Sequence, residues 1–484
     1  MTAFPVDIAR LSAEIEELAR ISDHPYPSVT RVLFTPTDMA GRAWLAERLR
    51  AAGLTIRTDP MGNVFARLEG TDPDLPAVAT GSHTDAIPEA GRFDGVVGVL
   101  GGLEALRAIR DAGVTPRRSI ELICFTAEEP TRFGIGCLGS RVMAGTLDAA
   151  RLAALRDAGG GTLDDARAAA GMTGAAVDAR LPEGAYHAFV ELHIEQGPEL
   201  EAEGLDIGVV TAIAAPATLR MELTGAGGHA GALLMPLRHD PLVVAAGVVQ
   251  EVDRAARETG HPDSVATVGL LRVEPGAVNS VPRRVVMEID VRDTDEARRD
   301  GVVDRIRAFG AAHAAERGVG HADAVINQDR PCTSDPEVVA AAEAACAEAG
   351  ASHRRMVSRA YHDTLFMARI CPTGMVFVPS RGGVSHRPDE FTEEPQIASG
   401  VAVLTDLVRL AARRGLSRRP RPGARPARRG RGRRPERAPQ HAGRRDGGLG
   451  LSTARLVTVE DAADDALRGG RPRPRRASLW RRPR

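Results

Sequence analysis

Short, almost uninterrupted apolar runs recur through the first 414 residues, and the stretches between them are amphipathic with helical spacing. A run that is apolar on both faces belongs inside a sheet covered on both sides, the habit of parallel strands joined by helices. Pro76–Ser82, Ile120–Thr126, Phe189–His193 and Gly374–Pro379 are the expected strands of this kind, so the fold class read from the sequence is α/β. Between about residues 212 and 328 the pattern changes to strand (Thr218–Thr224), helix (Asp240–Glu258), strand (Val265–Val273), strand (Arg284–Arg292), helix (Asp295–Arg317) and strand (Ala322–Asn327). That order predicts a ferredoxin-like βαββαβ domain inserted into a larger one. The larger domain resumes with DPEVVAAAEAACAEAG and closes with the helix-like IASGVAVLTDLVRLAARRG. The expected organisation is a larger domain in two parts, 1–211 and 329–414, an insertion at 212–328, and a tail at 415–484.

The tail is a different polymer. The chain contains no Lys, and 21 of its 63 Arg residues fall after residue 414 beside only six acids, giving the tail a net charge of +15 and the remainder −16. A segment such as RRPRPGARPARRGRGRRPERAP cannot bury enough surface to fold and is expected to be disordered. Its charge would suit nonspecific phosphate binding. The clean end of a domain just before it favours instead a plain extension, or the product of a shifted reading frame in a GC-rich gene, so a nucleic-acid partner is not expected. No apolar run approaches the roughly 20 residues that span a bilayer, and MTAFPVDIARLSAEIEEL carries acids where a secretion signal carries basic and then apolar residues. A cytoplasmic chain with no membrane partner is expected. The five cysteines are odd in number and lack a CxxC pair, which fits reduced thiols and leaves any metal site to His and carboxylates.

Such residues stand just after the expected strands: His83 and Asp85 in GSHTD, Glu128 and Glu129 in FTAEE, His193 in ELHIEQG and His386 in VSH. Open α/β sheets bind ligands at the carboxyl ends of their strands. Asp94, in GRFDGVVGVLGGLEAL, sits where a loop becomes a helix and is close enough in sequence to His83 to bridge. Each element alone is weak, because a single histidine in an apolar run is ordinarily a satisfied core residue and an EE pair a solvated face. Their co-occurrence, with Gly81, Gly95, Gly197, Gly382 and Gly383 allowing close backbone approach, predicts a centre for two divalent ions. Imidazole and carboxylate without thiolate suit zinc or manganese. Coordination lowers the pKa of bound water to about 7, and Glu128, beside a ligand without being needed as one, is left to carry the proton.

The segments GSHTDAIPEAGRFDGVVGVLGGLEAL, FTAEEPTRFGIGCLGSR, ELHIEQGPELE, GGHAGALLMPLRHDPL, PGAVNSVP and GVSHRPDEF resemble the hydantoinase/carbamoylase group of metallopeptidase-like amidases, over about residues 1–414. The resemblance implies a phosphorylase/hydrolase-like di-metal catalytic domain with an inserted dimerisation domain, and a homodimer. It implies that His83 and His193 hold one metal, Glu129 and His386 the other, that Asp94 bridges them and that Asp85 orients the site. It places Gln196, His229, Asn279 and Arg292 at the substrate, His229 polarising a ureido carbonyl and Asn279 with Arg292 clamping a carboxylate in the partner's site. Within the group, EGLDIGVVTAIAAPA, GGHAGALLMP and SRAYHDTLFMARICPTGMVF are similar to the ureidoglycolate-hydrolysing branch, with Tyr361 and His362 where other branches carry a glycine before the histidine. The implied activity is hydrolysis of a linear ureido C–N bond in purine-derived nitrogen salvage, ureidoglycolate going to glyoxylate, ammonia and CO2. N-carbamoyl-L-amino acid and allantoate hydrolysis are the alternatives. A metal-binding scaffold that has lost catalysis is the rival of another class, and retention of Glu128 beside every ligand argues against it.

Overall fold

The apolar runs form the centre of a nine-stranded sheet in a computed structural model that describes residues 4–413; the tail expected at 415–484 lies outside the described residues. Thr373–Val378, Tyr186–Ile194, Ala77–His83 and Ile120–Phe125 lie side by side in that order, all parallel. Every residue of these four strands except His187 is buried. Alternate side chains serve opposite faces: Leu122, Cys124, Val190 and Leu192 join the core that includes Leu11, Leu103 and Leu404, while Ile123, Phe125 and Phe189 join Met143 and Met367. Helices Ile8–Ala19, Val96–Asp111 and Glu394–Arg413 supply the first of these cores. Full burial of one such leucine contributes about 1.5–3 kcal/mol.

Antiparallel strands extend both edges, with Val64–Leu68 and Thr55–Thr58 beyond Ile120–Phe125, and Ile207–Ile213 with Cys332–Thr333 beyond Thr373–Val378. None of these edge strands was among those expected. Thr55–Thr58 is largely exposed and polar, so its sequence lacks the apolar run that marks an interior strand.

After Ile213 the chain passes into a second sheet at Ala215. Val265–Glu274, Arg284–Asp293, Ala215–Thr224 and Gly320–Gln328 form four antiparallel strands in that spatial order. Helices Pro241–Glu258 and Glu296–Glu316 complete a βαββαβ sequence of elements, and Val248, Val252, Val302 and Ile306 pack with Leu219, Met221, Met287 and Ile289 in a core of its own. Exposure alternates along Val265–Glu274 and Gly320–Gln328, the mark of a sheet with helices on one face only. Both helices start on an aspartate, Asp240 accepting from the Leu242 N–H and Asp295 from the Arg298 N–H. Such caps contribute about 1 kcal/mol each and explain why these boundaries were readable to within a residue or two. The chain re-enters the first sheet at Cys332–Thr333, and Asp335 caps helix Pro336–Ala349.

Candidate active site

The carboxyl ends of the four central parallel strands meet at one place. His83 is the last residue of its strand, His193 the last but one, Glu128 and Glu129 follow Phe125, and His386 follows Val378 in a short loop. Asp94 comes from the loop before helix Val96–Asp111. Two trios result, His83 with Asp94 and His193, and Asp94 with Glu129 and His386, each offering ligand atoms within 4.8 Å of one another. The two oxygens of Asp94 divide between them. Oδ1 lies 3.1 Å from His193 Nε2 and 3.6 Å from His83 Nε2, and Oδ2 lies 3.2 Å from His386 Nε2, which is 3.3 Å from Glu129 Oε1.

Supporting contacts orient these groups. His83 Nδ1 faces the Asp85 carbonyl at 3.0 Å and His193 Nδ1 faces the Ile194 carbonyl at 2.9 Å, so each ring donates there and turns its Nε2 toward Asp94, His193 Nε2 also facing the Gly95 N–H at 3.2 Å. The buried Asp85 carboxylate accepts the N–H groups of Glu128 and Glu129 at 3.3 and 3.0 Å, which holds the turn carrying both. Gly95 has φ 65°, and a Cβ there would overlap the His83 ring, so only glycine lets Asp94 approach.

Electrostatics separate the roles. Burial acts to raise the Asp94 carboxyl, but hydrogen bonds from His193, His386 and His83 outweigh it and hold Asp94 well below the usual range. Asp94 and Glu129 push His386 up to about 10. The cluster thus gathers positive charge onto its imidazoles when only protons are on offer, and its donor set fits divalent cations of the zinc and manganese type. Glu128 belongs to neither trio. Its Oε2 lies 3.8 Å from His83 Nε2, and its Oε1 accepts the Cys137 thiol at 3.5 Å. Burial pushes Glu128 well above the usual carboxylate range, with Glu129, Asp363 and Asp94 adding to the rise and His83 opposing it. A carboxylate with raised proton affinity suits general base work near neutral pH.

The residues assigned to substrate divide into two groups. Gln196 Nε2 donates to Asp94 Oδ2 at 2.7 Å, and its Oε1 is buried with no partner among the described residues. The Tyr361 hydroxyl lies over Gly136, where a Cβ would overlap it, and makes no hydrogen bond within the described residues. Burial raises the Tyr361 hydroxyl well above its ordinary value, Cys137 and Glu128 adding to this and Arg141 and Arg292 opposing it. Arg292 is the last residue but one of strand Arg284–Asp293, pairs with Asp290, donates to the Arg359 carbonyl and lies 5.9 Å from the Tyr361 ring centre of its own chain. The end of its strand thus abuts the loop that carries Tyr361 in the same chain. His362 is buried, its Nε2 3.0 Å from Ser358 Oγ and its ring centre 4.5 Å from that of His193. His229, on the two-strand ladder of Gly228–His229 with Ser280–Val281, and Asn279, just before that ladder's second strand, are both exposed, and the Ala230 N–H donates to the Asn279 carbonyl.

Glu191, His193 and His362 make a third trio with ligand-like spacing. Glu191, however, already accepts the Ser82 hydroxyl and the Thr364 N–H and hydroxyl, so its oxygens are occupied. Glu191, Cys137, Ser385 and Glu390 were not singled out from the sequence. The available signal was an acid two residues before a ligand histidine, on the same side of its strand, and another four residues after His386.

Together, a parallel sheet with histidines and carboxylates at its carboxyl edge and a separate βαββαβ unit define a hydrolase of Peptidase family M20/M25/M40, to which the chain belongs; that family's model matches residues 79–410. Within it, the chain is 48% identical to the ureidoglycolate hydrolase of Arabidopsis thaliana over 412 residues, covering 84% of this chain and 86% of that one. It is 40% identical to an N-carbamoyl-L-amino-acid amidohydrolase of Paenarthrobacter aurescens over 406 residues, 84% of this chain and 98% of the other. A crystal structure of a hydantoinase/carbamoylase family amidase from Burkholderia vietnamiensis superposes with a TM-score of 0.78 at 38% identity, covering 86% of this chain and all of that one.

Proposed function

We propose that the protein hydrolyses a linear ureido C–N bond and that its substrate is ureidoglycolate, which goes to glyoxylate, ammonia and CO2. The observation that carries this reading is the unpaired Tyr361 hydroxyl beside Glu128 and Arg292. The similarity to a ureidoglycolate hydrolase supports it. Two divalent ions, zinc or manganese, held by His83, His193, Asp94, Glu129 and His386, supply Lewis acidity and an activated water near neutral pH. Glu128 takes the proton from the attacking water and delivers it to the departing nitrogen. Arg292 binds the substrate carboxylate, for which its planar fork is suited. The orphaned Gln196 Oε1 accepts a ureido N–H. His229 stabilises the developing oxyanion and Asn279 shares the carboxylate. Ammonia release should be measured for the metal-reconstituted protein with ureidoglycolate, allantoate and N-carbamoyl amino acids. Ureidoglycolate is expected to give the highest kcat/KM, and a higher value for allantoate or for a bulky N-carbamoyl amino acid would reassign the substrate. The setting that follows is cytoplasmic nitrogen salvage from purine-derived ureido acids; among the described residues no helix is long and apolar enough to cross a membrane.

We further propose that residues 212–328 form a dimerisation domain inserted between the catalytic parts 1–211 and 329–414, and that His229 and Asn279 act in the partner's site. Val265–Glu274 is an edge strand with Val265 and Leu271 exposed, an arrangement that invites pairing with another chain. Leu234, Met235 and Leu237 follow His229 closely in sequence, Val278 precedes Asn279, and all four are 61% or more exposed. Mixing Glu128→Gln with His229→Ala chains is expected to restore activity, because one of the two sites in a mixed dimer then has both groups. Random mixing in a two-fold dimer gives about a quarter of the wild-type value. Verified mixed dimers with no recovery would place His229 in its own chain's site.

A further inference from the structure

Glu390 is 1% exposed and its single carboxylate collects donors from two separate loops. Oε1 accepts the N–H groups of Phe93 and Asp94 at 2.8 and 3.1 Å. Oε2 accepts the Ser385 hydroxyl at 2.9 Å and the His386 N–H at 3.3 Å. A Cβ at Gly91 would overlap this carboxylate, so the side chain is wedged against the loop that carries Asp94. On the other loop, His386 has φ 58°, a left-handed conformation that residues other than glycine rarely adopt, and its N–H points at Glu390. The Ser385 hydroxyl also lies 3.0 Å from Asp94 Oδ2, the oxygen that faces His386. A hydroxyl has one proton to donate. Once Asp94 Oδ2 is committed to a cation, that proton belongs to Glu390.

We propose that Glu390 is the positioning residue of the Asp94–Glu129–His386 half of the metal centre, joining the loop of the shared carboxylate to the loop of the histidine. The proposal rests on the two-metal reading given above. Outer-sphere partners of metal ligands hold affinity because they fix ligand direction before the ion arrives, and their loss lowers it about 10–100-fold. In Glu390 the direction of two ligands depends on one side chain, and the four bonds it accepts cannot all be kept by an amide, which presents a donor in place of one oxygen.

Manganese(II) binding to the metal-stripped full chain, followed by equilibrium dialysis, tests this together with the unfolding temperature of the metal-free form. Glu390→Gln is expected to weaken one of the two manganese sites at least about tenfold, and the other by less. Glu104→Gln is the comparison, since Glu104 is also fully buried but binds Arg10 and the Asp7 N–H on the first helix. It should lower the unfolding temperature and leave both manganese affinities unchanged. Glu390→Asp keeps the charge but not the reach, and is expected to show the same tenfold weakening should the glutamine chain not fold. A Glu390 variant that binds two manganese ions as tightly as the wild type, whatever its unfolding temperature, overturns the role while leaving the two-metal reading in place. A wild type that binds one ion overturns both.

Discussion

Glu128→Gln is expected to lower kcat at least about a hundredfold, the usual scale for losing a general base, while both metal ions stay bound. The two halves of this expectation come from different features. Glu128 lies in neither ligand trio, so an amide in its place removes no metal donor. Its Oε2 nevertheless faces His83 at 3.8 Å, within reach of a water activated at the same centre. Glutamine preserves shape but cannot take a proton. Asp94→Ala should behave in the opposite way, losing metal because its two oxygens serve both trios. Metal content and single-turnover rates, measured on the same samples, separate the cases. Normal turnover in Glu128→Gln, or loss of its metal, would remove Glu128 from the role of base.

The wild-type protein is expected to favour ureidoglycolate over N-carbamoylglycine, which differs by one hydroxyl, by at least about a hundredfold in kcat/KM. A site built to pair with a substrate hydroxyl strongly rejects the analogue that lacks it, because its own polar group is left unpaired. In the proposed reading the Tyr361 hydroxyl, which lies over Gly136, is such a group. Tyr361→Phe should shrink the preference at least about tenfold, consistent with removing one buried hydrogen bond, mainly by slowing ureidoglycolate hydrolysis. With the substrate carboxylate on the Arg292 guanidinium, as proposed, that end is a common reference for both compounds. An unchanged preference in Tyr361→Phe would mean that the phenol only fills space against Leu200 and Phe366.

Much of the architecture is legible in the sequence, because it depends on local patterns. Runs apolar on both faces mark interior parallel strands, and Asp240, Asp295 and Asp335 mark helix starts through hydrogen bonds that span two or three residues. The same patterns put His83, Glu128, Glu129, His193 and His386 at strand ends, where an α/β sheet gathers its ligands. The edge strands escaped because a half-exposed strand such as Thr55–Thr58 has no distinguishing run. Which groups face each other across long separations depends instead on the packed chain. Glu390 reaches the Phe93 N–H across 297 positions, Gln196 reaches Asp94 across 102, and Arg292 comes to rest beside Tyr361 of its own chain. Local propensity is a property of a few neighbouring residues, whereas a buried carboxylate finds its donors only after the sheet has brought distant loops together. Local pattern therefore carries the fold class and the residue types of the candidate metal centre, and packing carries how those groups are aimed.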